Sequence, residues 1–506
     1  MPSTSPKNSY GQIIKSTGLI GGSSLVSVLV SMVRVKFTAV YLGPLGVGLF
    51  GAYTTILQPI TAVSGFGLAA SGVRQLAEAN GTGDQAKVAR TVLTVKRAAL
   101  LSGVIGALLL LVLAYPACLS TFGNTEHVIP LAVLSLTLLI GGYSSGLGSV
   151  LQGLRRVRDM AAQSIIGAVL GLPLVIPMMI LWGIDSIVPM MVASSVMGAS
   201  ITWWYNRRIQ LPVVHMTWRE TWMEATPMLK LGFVFMSTGL MGAGVAYLTR
   251  LIIIRKLGLE ANGLFSAAYM LSSYYVGLIL AAMSTDFYPR LTAVANNNLE
   301  INRLVNEQTE VGMLMTMPGL VATLLLAPLV IRVFYTANFN PAIEILQWQV
   351  FGIALRVLFW PMGTILAAKN AKRLILITDV AGNCLSLIFF YLGIEFFGLP
   401  GTGIALFLFG LSAVLIGIVV THRLTGFRWS LANLRLLGVM ACLLILSFLV
   451  ARNLTWLWST TIGVALTGST AWFCSHTLNR LLGHNLLLAT WNKLKNSFPL
   501  RGKSES

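Results

Sequence analysis

Fourteen apolar runs of about 20 residues each, the length that crosses a bilayer as a helix, constrain this chain more than any other feature. They fall near 13–41, 46–70, 98–115, 128–152, 160–182, 187–205, 231–254, 263–288, 311–334, 343–367, 374–397, 402–421, 434–451 and 454–476. The chain is 56% hydrophobic and 10% charged, against roughly 25% charged residues in a soluble domain. The fold class expected is therefore all-α: a polytopic membrane protein with about 14 transmembrane helices. The first run has no small-residue cleavage site and reads as a retained span rather than a signal peptide.

Lys and Arg set the orientation. The loops after even-numbered runs carry Arg74, Lys87, Arg90, Lys96 and Arg97, then Arg155, Arg156 and Arg158, and further basic clusters down the chain. The opposite loops hold Glu126, Asp185, Glu344 and Glu395. Both termini are expected in the cytoplasm. The net charge of +19 is thus spread over short loops as topology requires, and points to no nucleic acid.

An internal repeat organises the runs. Leu42-Gly43-Pro44-Leu45-Gly46-Val47-Gly48-Leu49-Phe50-Gly51-Ala52 returns 215 residues later as Leu257-Gly258-Leu259-Glu260-Ala261-Asn262-Gly263-Leu264-Phe265-Ser266-Ala267. At the same offset Leu151 and Arg158 fall on Leu366 and Arg373, and Gly183 falls on Gly398. With a one-residue slip, Arg74 and Asn80 fall on Arg290 and Asn296. Six spans separate equivalent points, so both copies insert the same way up, as parallel repeats. The expected organisation is an N-lobe at 1–205 (spans one to six), a cytoplasmic inter-lobe linker at 206–230, a C-lobe at 231–425 (spans seven to twelve), two extra spans at 426–476 and a basic amphipathic cytoplasmic tail at 477–506.

Charges inside spans need an explanation other than topology, because an Arg or Lys at a helix centre costs about 2.5–3.5 kcal/mol on insertion scales. Arg34 and Lys36 lie in the first run, Arg250, Arg255 and Lys256 in or just past the seventh, Arg332 in the ninth and Arg356 in the tenth. The carboxylates at comparable depth are Asp286 and Asp379. A wet cavity lined by unpaired cations attracts an anion, best a phosphate, which Arg grips through two parallel hydrogen bonds. Arg34, Lys36, Arg250 and Arg356 are accordingly the candidate diphosphate contacts. The bland alternative is snorkelling to an interface. Arg34 and Lys36, two apart on a helix, cannot both face one way.

Polar and aromatic residues of the same spans suit sugar rings: Gln58 and Ser64, then Tyr269, Ser272, Ser273, Tyr274 and Tyr275, then Gln347 and Gln349. Of these Gln58, Tyr269, Ser273, Tyr274, Gln347 and Gln349 are the candidate glycan-lining set, with ordinary packing as the alternative. Asp286 is a candidate for ion coupling or, with Arg290 one turn on, a simple i,i+4 ion pair. Cys118, Cys384, Cys442 and Cys474 lie far apart without metal or disulfide spacing. No catalytic or nucleotide-binding motif occurs, so the expectation is a non-enzyme without cofactor or metal.

Over Lys36-Phe37-Thr38-Ala39-Val40-Tyr41-Leu42-Gly43-Pro44-Leu45-Gly46-Val47-Gly48-Leu49-Phe50 the chain resembles the O-antigen flippases, the Wzx proteins of the polysaccharide branch of the multidrug/oligosaccharidyl-lipid/polysaccharide exporter superfamily. The likeness extends over spans one to twelve, including Gly263-Leu264-Phe265 and Asp286-Phe287-Tyr288-Pro289-Arg290-Leu291. It implies two six-helix lobes around a cationic cavity, and alternating-access transfer of an undecaprenyl-diphosphate-linked oligosaccharide from inner to outer leaflet of the bacterial cytoplasmic membrane. Lys36 sits where similar flippases carry a Lys before the Gly-Pro loop. The implied partners are that lipid-linked glycan, membrane lipids and a glycan polymerase. Many relatives have twelve spans, and the extra pair is similar to the fourteen-span lipid II flippase type. Three rivals stay open: a lipid II-type flippase, a cation-coupled drug or metabolite exporter of the same fold, and a membrane scaffold for glycan-assembly enzymes.

Overall fold

The computed structural model of the 506-residue chain describes residues 6–454 and 456–482. Fifteen α-helices cover most of these, with no strand among them. They are α1 (Pro6–Gly65), α2 (Leu68–Gly81), α3 (Gln85–Phe122), α4 (Val128–Gly153), α5 (Val157–Trp182), α6 (Ile187–Arg207), α7 (Trp218–Leu257), α8 (Leu259–Ala293), α9 (Asn298–Leu325), α10 (Ala327–Phe334), α11 (Ala342–Ala368), α12 (Lys372–Phe397), α13 (Gly401–Thr425), α14 (Leu431–Asn453) and α15 (Trp456–Leu482). Ten helical stretches are long and apolar enough to cross a membrane. Two of them, Val30–Gly65 and Val157–Arg207, are interrupted. The first is broken at Gly43 (φ 61°, ψ −171°) and the second at Gly183–Ser186. A further pair, α9 with α10, bends by 79°. The protein is a multi-pass, all-helical membrane protein. The tail beyond Leu482, where the amphipathic helix is expected, lies outside the described residues.

The repeat is written into the backbone. Gly43 and Gly258, 215 apart, both have positive φ (61° and 90°) and near-extended ψ (−171° and 175°). Gly183 (φ 53°, ψ −128°) matches Gly398 (φ 60°, ψ −133°). Arg155 and Asn370 both enter the left-handed region, at φ 55° and 52°, and the same hydrogen bonds close each turn. Arg156 N–H donates to Leu151 O at 2.9 Å, and Ala371 N–H to Leu366 O at 2.9 Å.

Two starts and breaks differ from the sequence reading. The 206–230 linker is mostly helix. α7 begins at Trp218 because Thr217 and Glu220 form a reciprocal capping box, and it continues through Pro227. The ninth run is two helices, because the chain turns at Leu326.

Contacts divide the chain into two compact units. Unit 1 holds the described residues through Ser266 together with Arg332–Asn340; unit 2 holds Ala267–Ile331 and the described residues from Pro341 on. In unit 1, α1 packs on α3, α5 and α7, and α4 packs on α2, α3 and α6. α7, which the repeat makes the counterpart of the start of α1, therefore packs within unit 1. In unit 2, α9, α11, α12 and α13 pack together, and α14 and α15 are laid on α9. Each unit has its own buried apolar cluster, one around Tyr53, Leu131 and Leu134, the other around Met317, Val321 and Val357.

The two Gly-Leu-Phe copies meet inside unit 1. A Cβ on Gly48 would lie 1.9 Å from Leu259 O, and a Cβ on Gly263 would lie 1.9 Å from Pro44 O. Pro44 and Leu259 are themselves repeat equivalents, so the contact is reciprocal. Only the missing side chains let the two backbones come so close.

Candidate functional site

The membrane-depth cations fall into two groups. The first is engaged with protein oxygens. Lys36, on the first half of α1, donates its Nζ to Arg332 O at 2.9 Å and to Tyr335 O. Both carbonyls stand at the end of α10, where the last helical C=O groups lack intrahelical partners and the dipole favours a cation. Arg255 does the same for α3, donating from Nε to Ser120 O at 2.6 Å and from its second terminal nitrogen to Leu119 O at 2.9 Å.

Arg250 belongs to this group too. It donates to Asn262 Oδ1 at 2.8 Å, to Asn262 O at 3.2 Å and to Ser266 Oγ, and its guanidinium lies 4.8 Å from the centre of the Phe265 ring. Asn262 in turn donates from Nδ2 to Gly48 O at 2.7 Å. Arg250 thus braces the crossing of the two repeats. Asn262 and Ser266 were not singled out from sequence, although both lie inside the repeated segment.

The second group is bare. Arg34 on α1 and Arg356 on α11 are half-buried, and neither guanidinium has a hydrogen bond or ion pair among the described residues. Arg34 sits in unit 1 and Arg356 in unit 2. Holding a buried cation without a partner costs several kcal/mol unless water or an anion reaches it. These two side chains are therefore the ones equipped to take an anion without first giving up a protein contact.

The other candidates are placed as follows. Gln58, Tyr269 and Tyr274 are exposed, and Gln347 is buried. Gln349 is fully buried, its Oε1 accepting from Ser272 Oγ at 3.1 Å, so in this structure it ties α8 to α11. Ser273 Oγ is buried without a partner, as is Gln349 Nε2. Asp286 pairs with Arg290 at 3.2 Å on an exposed surface, the side chains 74% and 55% accessible. Asp379 lies with Asn383 and Thr421 on the wall of a cavity of about 220 Å³ in unit 2. Among the described residues no group of His, Cys, Asp and Glu could hold a metal ion.

Residues 41–344 match the family model described as polysaccharide biosynthesis protein. The chain belongs to that family. Among curated relatives of this polysaccharide biosynthesis protein, the lipid III flippase of Escherichia coli (strain K12) is 21% identical over 374 residues, which are 72% of this chain and 88% of the relative. The lipid III flippase of Shigella flexneri matches equally. Among solved structures, the lipid II flippase MurJ in an inward closed conformation is similar with a TM-score of 0.68 at 14% identity, covering 92% of this chain and 99% of that one. An inward-facing multidrug resistance MATE family transporter of the MOP superfamily is similar with a TM-score of 0.63 at 16% identity, covering 79% of this chain and 94% of that one. At such identities the structural likeness fixes the fold.

Proposed function

We propose that this polysaccharide biosynthesis protein is a flippase for lipid-linked oligosaccharide. It moves an undecaprenyl-diphosphate-linked glycan, an O-antigen or related surface polysaccharide unit, from the inner to the outer leaflet of the cytoplasmic membrane by alternating access, with both termini in the cytoplasm. The observation that carries this reading is the pair of partnerless guanidiniums, Arg34 and Arg356. They are the proposed diphosphate contacts. Arg is suited to the task because its planar fork matches phosphate oxygens and keeps its charge at any physiological pH.

Lys36 joins them by exchanging its two carbonyl acceptors for phosphate oxygens, and Arg250 braces the crossing of the two repeats at Gly48, past the Gly43 break. Gln58, Tyr269, Ser273, Tyr274 and Gln347 are the proposed glycan contacts. The relatives named lipid III flippase support a lipid-linked cargo. The membrane potential supplies the drive, since each anionic charge moved outward gains about 2.3 kcal/mol per 100 mV. Ion coupling through Asp286 is not needed for this step. The rival exporter of organic cations is disfavoured, because such cargo calls for carboxylates at membrane depth and the first six runs carry none.

Deleting the gene should make one prenyl-diphosphate-linked oligosaccharide accumulate on the inner leaflet, identified by mass spectrometry. Wild-type protein should clear it; Arg34→Glu and Arg356→Glu, made at wild-type abundance, should not. Full clearance by both reversal variants would remove the cationic-site reading. A scaffold for assembly enzymes would be indifferent to both.

A further inference from the structure

Unit 1 contains a cavity of about 340 Å³ on the wall of which stand Thr61, Ser64, Ser102, Thr137, Ser145 and Phe235. Gly65, Gly67 and Leu68, at the break between α1 and α2 where Phe66 and Gly67 have φ 46° and 62°, line it, and α3, α4 and α7 complete it. Its size is within the range of small-molecule sites, about 300–1,000 Å³. No ionisable residue lines it.

Two of the buried hydroxyls are out of the ordinary. A serine or threonine inside a helix usually returns its hydroxyl to a carbonyl one turn back. Thr61 does so to Leu57 O at 2.8 Å, and Thr137 donates to Leu134 O at 2.6 Å. Ser64 and Ser102 do not. They are 8% and 6% exposed, and neither hydroxyl has a hydrogen-bond partner among the described residues. Both side chains line the same cavity and their oxygens are open to it rather than sealed in the protein, where a ligand can reach them.

The occupant that satisfies them is polar, uncharged and partly apolar. A prenyl or acyl chain would fill the space and leave both hydroxyls unpaired. Water, at a share of about 30 Å³ per molecule, would satisfy both hydroxyls as a cluster of several, and a polar ligand that reproduces those hydrogen bonds can displace it. A sugar ring offers hydroxyls at its edge and C–H groups on its face, the latter for the Phe235 ring. Resting on the flippase reading above, we infer that this cavity receives one uncharged sugar unit of the lipid-linked glycan, held by Ser64 and Ser102. None of the proposed diphosphate contacts lines it. On α3 the cavity is lined from Val95 to Ser102, around Lys96 and Arg97, in the half of the helix expected to face the cytoplasm, where a glycan waiting to be moved would enter.

The test uses the full chain in lipid nanodiscs and two probes: undecaprenyl diphosphate, and the same lipid bearing a single N-acetylhexosamine. Wild type should bind the sugar-bearing probe roughly ten-fold more tightly than the bare one, as expected from two added hydrogen bonds. The near-isosteric Ser64→Ala/Ser102→Ala double variant should reduce that advantage to less than about two-fold and leave the bare-lipid affinity unchanged. Gly141→Leu is the second variant. Gly141 lines the cavity, and a Cβ there meets nothing within 4 Å, so the side chain should fill the space, abolish the advantage and leave the melting temperature unmoved. Equal binding of both probes by wild type, or an advantage that survives both variants, overturns the sugar site while the diphosphate reading stands. Failure of wild type to bind either probe overturns both.

Discussion

At the turns that join their helices the two copies are nearly superimposable in torsion angle: Gly43 with Gly258, Arg155 with Asn370, Gly183 with Gly398. Inside the helices they part. The first copy breaks between α1 and α2 at Phe66–Gly67, whereas its counterpart α8 runs unbroken from Leu259 to Ala293. The second copy breaks instead at Leu326, between α9 and α10, where the first has the continuous α3. Each break borders a feature of its own copy. The first lines the hydroxyl-bearing cavity; the second leaves the carbonyls at the end of α10 that Lys36 takes up. Shared turns keep the architecture, and unshared breaks divide the work.

The largest expected effect lies where the copies meet. Gly48→Ala and Gly263→Ala each place a methyl group 1.9 Å from a backbone oxygen, so each should cost at least about 3 kcal/mol by overpacking. Because the contact is reciprocal the two costs should match, and the double variant should cost less than their sum, since the backbones separate only once. Thermal unfolding in detergent measures this. Gly277→Ala on the same helix as Gly263, with open space at its Cβ, is the control. A tolerated Gly48→Ala beside a disabling Gly263→Ala would break the equivalence.

A smaller effect separates the matched turns. Arg155 and Asn370 hold the same positive φ, but Asn visits that region more readily than Arg. Arg155→Gly should therefore stabilise the protein by about 1 kcal/mol more than Asn370→Gly. Equal melting shifts would mean that the strain is relieved by something other than the side chain.

The smallest concerns a pair the second copy does not have. Tyr53 Oη and His127 Nδ1 are 2.9 Å apart, and the residues 215 further on are Ala268 and Ala342. Burial holds the His127 imidazole below its ordinary pKa, with Glu126 opposing weakly. The unfolded chain then binds more protons than the folded one between the two values. Stability contributed by His127 is fully present above about pH 6.5 and is lost as the pH falls through the lower folded value. His127→Gln should flatten the fall of melting temperature on acidification. An unchanged slope would place the sensitivity elsewhere.

Much of this architecture was legible in the sequence because bilayer thickness leaves a mark on every apolar run, and because Gly48 and Gly263 have to be glycine. The start of α7 was legible too, in Thr217 and Glu220, but Pro212 and Pro227 made the stretch read as a linker. The sorting of the cations was not legible. Whether Lys36 is bare depends on carbonyls 296 and 299 residues away, and whether Arg34 is bare depends on the absence of any such group. Neither leaves a local signature. Gln349 shows the same limit from the other side. Its amide looked fit for a sugar, and burial against Ser272 gives it a packing role. The 79° bend after Leu325 does carry a local mark, Pro328, two residues past the cap, which cannot extend α9.

The most direct test of the central claim is translocation itself. Purified protein in liposomes with an imposed potential, inside negative, should carry an undecaprenyl-diphosphate-linked sugar outward. The rate should rise with the potential and fall to the protein-free level in both Arg34→Glu and Arg356→Glu. A rate that ignores the potential and survives both reversals would contradict the account.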